Sequence, residues 1–595
     1  MTSDSANAAW DPLVLAGELQ TIAEQSQRLM LRFLSKQPDD GHLGLNDPGA
    51  LGGAFLDLMT KMMTDPSAVA AAQIDLFNES MTVWRHYAER MWMLQSLDPP
   101  PPKDKRFAHP EWSENAVFNF VRESYLVASK AMLSTVRSVQ GLDPKTARKV
   151  DFYTRQFVDA MSPTNFLTTN PEVLEATVKT GGQNLLKGLE HVLEDLDHGD
   201  GRLQIAMTDP NAFRFGENIA STPGKVVFQN ELLQLLQYAP STETVRKRPL
   251  FIIMPWINKY YVLDLQPKNS FIKWAVDQGH TVFVPSWANP DETLAQTSFE
   301  DYMTRGLIAA FDAIEAATGE HEINAIGYCL GGTMLAATMA YLAAKGDNRV
   351  VSATNFVTLT DFSEVGDMAV FIDDEQISSV EKRMAEHGYL EASDMAMSFN
   401  MLRSNDLIWS FVVNNYLLGK EPAPFDLLYW NADATRMPAV MHSFYMRNMY
   451  QKNLLREPGG ITLAGVPIDI RKVKTPVFML SCREDHLAPW KSTYAATQLY
   501  GGPVTFVLAA SGHLAGVISP PGSKYGHWTN DTRPLPKTPD EWFAGATAQK
   551  GSWWPLWDKW VTDFAGGRVP ARIPGDGKLP ALEDAPGSYV RVRAV

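Results

Sequence analysis

The segment Gly327–Gly332 (Gly-Tyr-Cys-Leu-Gly-Gly) has the clearest chemical meaning in this sequence. Cys329 lies between Ile323–Ile326, an apolar run typical of a buried strand, and an apolar run from Thr333 that is typical of a helix. Glycines permit a turn too tight for Cβ atoms, and this pattern forms the elbow that presents a nucleophile. The free N–H groups of the first helical turn favour a thiolate and an oxyanion. We therefore predict that Cys329 is a catalytic nucleophile.

An acid and a histidine follow two later predicted strands. Val477–Leu480 leads into Asp485, and Val504–Leu508 leads into His513. The order nucleophile, acid, histidine is that of the α/β-hydrolases, in which both partners follow strands of a parallel sheet. We predict that Asp485 and His513 complete a catalytic triad with the cysteine.

Neighbouring residues offer alternatives for both partners. Glu484 competes for the role of the acid, and His486 competes for the role of the base. His486 is adjacent to the acid and therefore points elsewhere. His442 and His527 are interpreted as solvated or packed side chains.

The two cysteines also allow a structural interpretation. A free cysteine is often simply buried, which is the alternative for Cys329. If one strand separates Cys329 from Cys482, two strand spacings of about 4.8 Å exceed the roughly 7 Å Cα limit for a disulfide. We predict that Cys482 fills the core.

An oxyanion hole requires two backbone N–H groups, one from the residue after the nucleophile and one from a loop after an early strand. These are Leu330 and, within the loop Met254–Asn258, Ile257. The sequence contains no HExxH, clustered CxxC, P-loop or strand-flanked GxGxxG motif, so we expect neither a metal nor a nucleotide cofactor.

A cysteine nucleophile favours acyl transfer over plain hydrolysis. A thiolate is strongly nucleophilic and is also a good leaving group. Transfer of an acyl group from a thioester to Cys329 is close to isoenergetic, and the product stays activated for a second nucleophile. A serine ester would lie lower in free energy and tend toward hydrolysis.

Composition limits the class of protein. The chain has 595 residues, of which 45% are hydrophobic and 20% are charged, which excludes a disordered or collagen-like protein. The net charge of −15 argues against nucleic acid as a partner, because phosphate contacts need clustered cations. Two cysteines cannot form a disulfide framework, so we expect a reducing compartment.

No targeting or membrane-spanning segment is predicted. The opening residues lack a cationic region followed by an apolar one. Ile323–Ala344 is uncharged and long enough to span a bilayer, but its glycines would break a membrane helix. A strand, a turn and a buried helix fit this stretch better.

The elements that position these residues form a helical region and an α/β region. Residues 1–205 show apolar residues at helical spacing, interrupted by Pro99–Pro102, a stiff spacer. Residues 206–595 alternate short β-rich runs, among them Phe356–Leu359, with helical patterns, which predicts a mostly parallel sheet. Within this part, the aromatic-rich stretch 362–470 is interpreted as a cap or lid insertion, or alternatively as a subdomain remote from the site.

Eight strings of residues, in order along the chain, resemble those of the class I poly(3-hydroxyalkanoate) synthases, which polymerise bacterial storage polyesters. The resemblance covers roughly residues 90–595. The strings are Thr222–Gly224 with Phe228–Leu232, Pro255–Asn258, Ser286–Pro290, Gly327–Thr333, Asn414–Tyr416, Tyr429–Asn431, Glu484–Trp490 and Ser511–Gly516.

The resemblance implies a function for the predicted triad. Cys329 would attack the thioester of an (R)-3-hydroxyacyl-CoA, such as 3-hydroxybutyryl-CoA, after losing its proton to His513. The 3-hydroxyl of one unit would then attack a second thioester, extending the polyester. Asp485 would either activate that hydroxyl or orient the histidine. Arg403 is assigned to CoA phosphates, with a solvated or structural arginine as the alternative.

The resemblance also implies a homodimer at the surface of cytoplasmic polyester granules, with the helical N-terminal region assisting. Two other functions remain as alternatives. A cysteine α/β hydrolase would use the same triad on thioesters, esters or lactones and release a free acid. A granule-binding scaffold would carry a vestigial triad, and the intact Cys329, Asp485 and His513 argue against it.

Overall fold

A computed structural model of the chain describes residues 48–64, 66–91, 104–199, 201 and 203–594. The chain divides into two compact units. The first unit consists of two separate stretches, the chain up to Asp209 and the later segment Met397–Ala423. The second comprises Pro210–Ala396 and the chain from Pro424 onward. Met397–Ala423 comes from the stretch 362–470, whose interpretation as a cap stays a prediction. The predicted spacer Pro99–Pro102 lies outside the described residues.

The first unit is helical, which confirms the prediction from apolar spacing. Side chains at several helix starts accept hydrogen bonds from free backbone N–H groups: Asn115 accepts from Val117 and Phe118, and Asn170 accepts from Glu172 and Val173. Its first helices are α1 (Pro48–Thr64), α2 (Pro66–Met91), α3 (Glu111–Glu114), α4 (Ala116–Ser138), α5 (Pro144–Ala160), α6 (Pro171–Thr180) and α7 (Gln183–His198).

The later segment of the first unit packs against helix α7. It contains two π-helical turns, Asn405–Trp409 and Val412–Leu417. Tyr416 donates its hydroxyl proton to Asp195 Oδ2 at 2.6 Å, and Asn184 Nδ2 donates to the carbonyl oxygen of Leu417 at 2.7 Å. These bonds tie two stretches that are far apart in sequence into one unit.

The second unit is built on an eleven-stranded sheet. Its strands are β1 (Gly224–Gln229), β2 (Leu233–Tyr238), β3 (Leu250–Ile253), β4 (Val282–Trp287), β5 (Ile323–Tyr328), β6 (Val350–Phe356), β7 (Val477–Cys482), β8 (Val504–Ala509), β9 (His527–Thr529), β10 (Thr547–Gln549) and β11 (Glu583–Asp584). Smaller pairs are Thr244–Arg246 with Arg568–Pro570, Tyr389–Leu390 with Met437–Pro438, and Thr462–Leu463 with Val466–Pro467.

The strand order is β10-β9-β8-β7-β6-β5-β3-β4-β2-β1-β11. Strands β3 to β8 pair in parallel, whereas β1, β2, β9, β10 and β11 pair antiparallel at the two ends. Parallel strands require crossover connections that cover both faces, which explains why the strands β3, β5 and β7 are buried at every position. The fold is the predicted α/β-hydrolase fold.

Helices cover this sheet and form the region after β6. They are α8 (Phe271–Asp277), α9 (Phe299–Asp301), α10 (Ala309–Thr318), α11 (Leu330–Lys345), α12 (Asp374–His387), α13 (Ala392–Leu402, which ends in the first unit), α14 (Asp426–Ala432), α15 (Ala439–Tyr445), α16 (Trp490–Ala495), α17 (Pro539–Ala544) and α18 (Trp554–Thr562). The π-helical turns Tyr302–Ile308 and Met446–Gln451 precede α10 and follow α15. Throughout the described ranges, no helix combines the length and the apolar character that crossing a bilayer requires.

One predicted strand was placed wrongly. The run Phe356–Leu359 was predicted as a strand, but the strand is Val350–Phe356, and Val357 has a φ of 44° that ends it. The apolar run continues past this kink because the following loop is also buried. Strand β2 was not predicted, since Gln234 and Gln237 interrupt its apolar pattern although both are buried.

Candidate active site

Cys329 lies at the sharp turn between strand β5 and helix α11. Its backbone has φ 50° and ψ −118°, a conformation that L-residues rarely adopt. The Cys329 N–H donates to the carbonyl oxygen of Phe356 on the neighbouring strand at 2.9 Å. The side chain is partly exposed, so the structure presents this thiol as the sequence pattern predicts.

The glycines of the elbow are required by close backbone contacts. A Cβ on Gly327 would lie 2.3 Å from the Cα of Gly332, across the turn. A Cβ on Gly331 would lie 2.3 Å from the carbonyl oxygen of Ile253, at the end of strand β3. The start of helix α11 therefore packs directly against the end of β3, which a larger residue would prevent.

Asp485 and His513 meet at the carboxyl ends of strands β7 and β8. His513 Nδ1 lies 2.7 Å from Asp485 Oδ2, and both side chains are buried. The other carboxylate oxygen of Asp485 accepts the N–H groups of Leu487 and Ala488, at 2.8 and 2.9 Å. The carboxylate is thus fixed on both sides and can hold the imidazole in one orientation.

The protonation of His513 reflects its charged neighbours. Burial lowers the pKa of His513, but the charges of Asp485 and Cys329 and hydrogen bonds to both outweigh burial and raise that pKa to about 10. The site therefore favours a protonated imidazole at His513, beside Cys329. The structure brings all three residues of the predicted triad together, while their catalytic roles stay a prediction.

The alternative residues lie in other surroundings. Glu484 has an exposed side chain, whereas the neighbouring Asp485 is buried. Burial without a charged partner lowers the pKa of His442 to about 4, and burial also lowers the pKa of His527. Cys482 is fully buried, and strand β6 separates its strand from β5, so it packs in the core as predicted.

The predicted oxyanion donors are free to act. Among the residues that the structure describes, no group accepts a hydrogen bond from the N–H of Leu330 or of Ile257. Leu330 is the first residue of helix α11, and its N–H lies where the helix dipole is positive. The assignment of both residues stays a prediction, with these free donors in its favour.

Two tyrosines lie near the nucleophile, and the sequence patterns gave neither a role. Tyr445 Oη lies 3.4 Å from Thr333 Oγ1 on helix α11, and its ring is 5.7 Å from that of Tyr450. Burial and the charges of Cys329 and Asp485 raise the pKa of Tyr450. The π-helical turn Met446–Gln451 places these rings, five residues apart, on one face, which an α-helix would not do.

Arg403 lies in the other compact unit from the triad. Its Nε donates to Asp406 Oδ2 at 3.0 Å, and the side chain is half exposed. Its assignment to CoA phosphates stays a prediction. Over the described ranges, His, Cys, Asp and Glu side chains form no cluster of three or more suited to a metal ion.

Comparison with known families agrees with this architecture. Residues 103–275 match the model of the poly-beta-hydroxybutyrate polymerase (PhaC) N-terminus. Residues 262–520 match the alpha/beta hydrolase fold, the range that contains the elbow, the acid and the histidine. The two matches together cover the described chain from before its third helix, α3, almost to strand β9.

Three bacterial relatives match most of the chain. A poly(3-hydroxyalkanoate) polymerase of Methylorubrum extorquens is 51% identical over 97% of this chain and 98% of its own. Poly(3-hydroxyalkanoate) polymerase subunits PhaC of Rhizobium meliloti and Cupriavidus necator are 54% and 43% identical, over 82% and 83% of this chain and 80% and 84% of their own. The chain is therefore an enzyme of the acyltransferase class and belongs to the poly(3-hydroxyalkanoate) polymerase family.

Proposed function

We propose that this enzyme polymerises (R)-3-hydroxyacyl-CoA, with 3-hydroxybutyryl-CoA as the first substrate to test, through a covalent acyl-Cys329 thioester. The observation that carries the proposal is the contact of His513 with both Asp485 and Cys329, in a chain whose relatives are named polymerases. No cofactor is needed, because CoA arrives as part of the substrate.

In the first half of the cycle, the Cys329 thiolate attacks the carbonyl carbon of the acyl-CoA. Negative charge develops on the carbonyl oxygen, where the free N–H groups of Leu330 and Ile257 would stabilise it. The carbon–sulfur bond to CoA then breaks, and His513 donates the proton that CoA sulfur takes up on leaving. The product is acyl-Cys329 and free CoA.

In the second half, the 3-hydroxyl of one acyl unit attacks the thioester carbonyl of another unit. The hydroxyl loses its proton to a base, a new ester bond forms, the carbon–sulfur bond of the attacked thioester breaks, and the departing sulfur takes up the proton from the base. Two roles for Asp485 fit its contact with His513: it orients the imidazole as the base, or it acts on the hydroxyl itself. Each cycle adds one monomer and releases one CoA.

The test gives the purified enzyme (R)-3-hydroxybutyryl-CoA and follows CoA release by thiol titration together with recovery of the acyl product. We expect polyester of high molecular mass, and loss of all CoA release in Cys329→Ala. Cys482→Ala is the matched control, because that thiol is fully buried and should retain polymerisation. Free 3-hydroxybutyrate as the sole product would instead identify a thioesterase.

We further propose that the enzyme works as a homodimer at the surface of cytoplasmic polyester granules. Helices α1 and α2 support this proposal, because they expose large apolar side chains, including Leu56, Ile74, Phe77 and Trp84. Deleting residues 1–90 should spare CoA release but weaken attachment to granules, measured by granule sedimentation. Normal attachment after this deletion would refute the role of these helices.

A further inference from the structure

A lysine is buried one residue after the loop that carries the predicted oxyanion donor Ile257. Lys259 is 5% exposed, a low value for a side chain that normally keeps its ammonium group in water. Its Nζ donates to the carbonyl oxygens of Val590 and Val592, each at 2.7 Å. The carboxylate oxygen Oδ1 of Asp433 lies 3.1 Å from the same nitrogen.

These contacts satisfy a charge that would otherwise be costly to bury. Removing an ammonium group from water is strongly unfavourable unless a counter-ion and hydrogen-bond acceptors surround it. Asp433 supplies the counter-ion and also accepts a hydrogen bond from Tyr261 Oη at 3.0 Å. Lys259 therefore joins three separate stretches of the second unit at one buried point.

The backbone around Ile257 is held on both sides. Thr435 Oγ1 accepts the N–H of Asn258 at 2.9 Å and donates to the carbonyl oxygen of Trp256 at 3.0 Å. Trp430 Nε1 donates to the carbonyl oxygen of Lys259 at 2.6 Å. The N–H of Ile257 itself has no acceptor among the described residues, so this group is available to bind substrate while the backbone on either side of it is held.

We infer that Lys259 is a positioning residue, which uses the carbonyl groups of Val590 and Val592 to fix the loop that presents the Ile257 N–H to the oxyanion. This inference rests on the proposed function, since it assumes acyl transfer through that donor. An oxyanion hole works only when its donors are already in place as charge develops. A loosened loop would therefore slow catalysis while leaving the nucleophile intact.

The experiment compares Lys259→Met and Lys259→Arg with the matched control Lys273→Met, whose ammonium group is exposed and pairs with Asp277 on helix α8. CoA release from (R)-3-hydroxybutyryl-CoA gives kcat and KM. Alkylation of Cys329 by iodoacetamide reports on the nucleophile alone, because this reaction develops no charge on a carbonyl oxygen.

For Lys259→Met we expect kcat to fall about 10- to 100-fold, near the lower end of the loss seen when one oxyanion donor is removed. KM and the alkylation rate of Cys329 should stay within about threefold of the wild type. Lys259→Arg should recover part of the activity, because it keeps the charge and the donors. An unchanged kcat, or an alkylation rate that falls in parallel with kcat, would overturn the inference.

Two controls keep the outcomes distinct. Cys482 is fully buried, so alkylation of two cysteines per chain would reveal that a variant has unfolded. If Lys259→Met unfolds, a chain that ends after Arg591 replaces it in the test, because this chain keeps Lys259 but lacks the Val592 carbonyl group. The inference then requires that kcat falls in the shortened chain while the alkylation rate of Cys329 stays unchanged. Failure of the wild type to release CoA would count against the proposed function rather than against the role of Lys259.

Discussion

Gly331 approaches the carbonyl oxygen of Ile253 so closely that a Cβ at this position would lie 2.3 Å from it. This contact joins the first turn of the nucleophile helix to the end of strand β3. Both partners are backbone, so no side chain can rotate away to relieve a clash. The distance between the nucleophile and the loop after β3 therefore depends on a residue without a side chain.

Gly331→Ala should destabilise the second unit by about 2–4 kcal/mol, because backbone must shift to admit the new methyl group. Gly567→Ala is the matched control in the same unit, since no atom lies within 4 Å of its ideal Cβ. Its effect should stay within about 1 kcal/mol. Calorimetric unfolding of both variants measures the difference, and equal midpoints would contradict the predicted clash.

Asp485→Asn should lower the rate of CoA release at least about 100-fold. The carboxylate accepts the Nδ1 proton of His513, whereas an amide can donate to Nδ1 and favour the wrong tautomer. Glu484→Gln removes the adjacent exposed carboxylate and should change the rate by less than about twofold. Steady-state kinetics of the two variants provide the measurement. A larger loss of rate in Glu484→Gln than in Asp485→Asn would show that Glu484, and not Asp485, is the acid.

Stability should depend on pH through His513. Its pKa is raised from 6.5 to about 10 in the folded protein, so the folded state binds this proton more tightly than the unfolded state. The resulting stabilisation is fully present below about pH 6.5 and is lost as the pH rises toward 10.

Asp485→Asn removes a charge that raises this pKa. The advantage of the wild type over Asp485→Asn in thermal unfolding midpoint should therefore be largest near pH 6.5 and shrink toward pH 10. Unfolding scans at several pH values across this window give the comparison. A difference between the two proteins that grows with pH would have the opposite sign to the one predicted.

Tyr416→Phe should destabilise the first unit by about 1–3 kcal/mol, because the buried carboxylate of Asp195 loses the hydroxyl donor that lies 2.6 Å away. Tyr87→Phe is the control in the same unit, since its hydroxyl has no hydrogen-bond partner among the described residues. Thermal unfolding of both variants measures this loss of stability. An equal loss in the two variants would contradict a stabilising hydrogen bond from Tyr416 to Asp195.

The sequence predicts most of the parallel strands and the positions from which Asp485 and His513 meet, because both depend on local patterns, while the catalytic roles stay a prediction. Continuous apolar runs mark the buried parallel strands, and the residues that follow Val477–Leu480 and Val504–Leu508 carry the acid and the histidine. These residues meet because parallel strands end at one edge of a sheet. The end of strand β6 was predicted wrongly, since the kink at Val357 leaves no mark on an apolar run.

Features that depend on distant contacts were not predictable in this way. The burial of Lys259 depends on carbonyl groups more than 300 residues away in the chain, and no local pattern indicates such a partner. The contact between the rings of Tyr445 and Tyr450 depends on a π-helical turn. The five-residue spacing of the two tyrosines is compatible with such a turn but does not predict it. The membership of Met397–Ala423 in the first unit likewise has no local sign.

That membership affects how the protein can be synthesised. The first unit is completed by Met397–Ala423, so the ribosome must translate Pro210–Ala396, which contain strands β1 to β6, before the last part of the first unit exists. Helices α1 to α7 are therefore synthesised before Met397–Ala423, the segment that packs against helix α7. The parallel strands β3 to β6 are synthesised between the two. Synthesis of the first unit is therefore completed only midway through synthesis of the second unit.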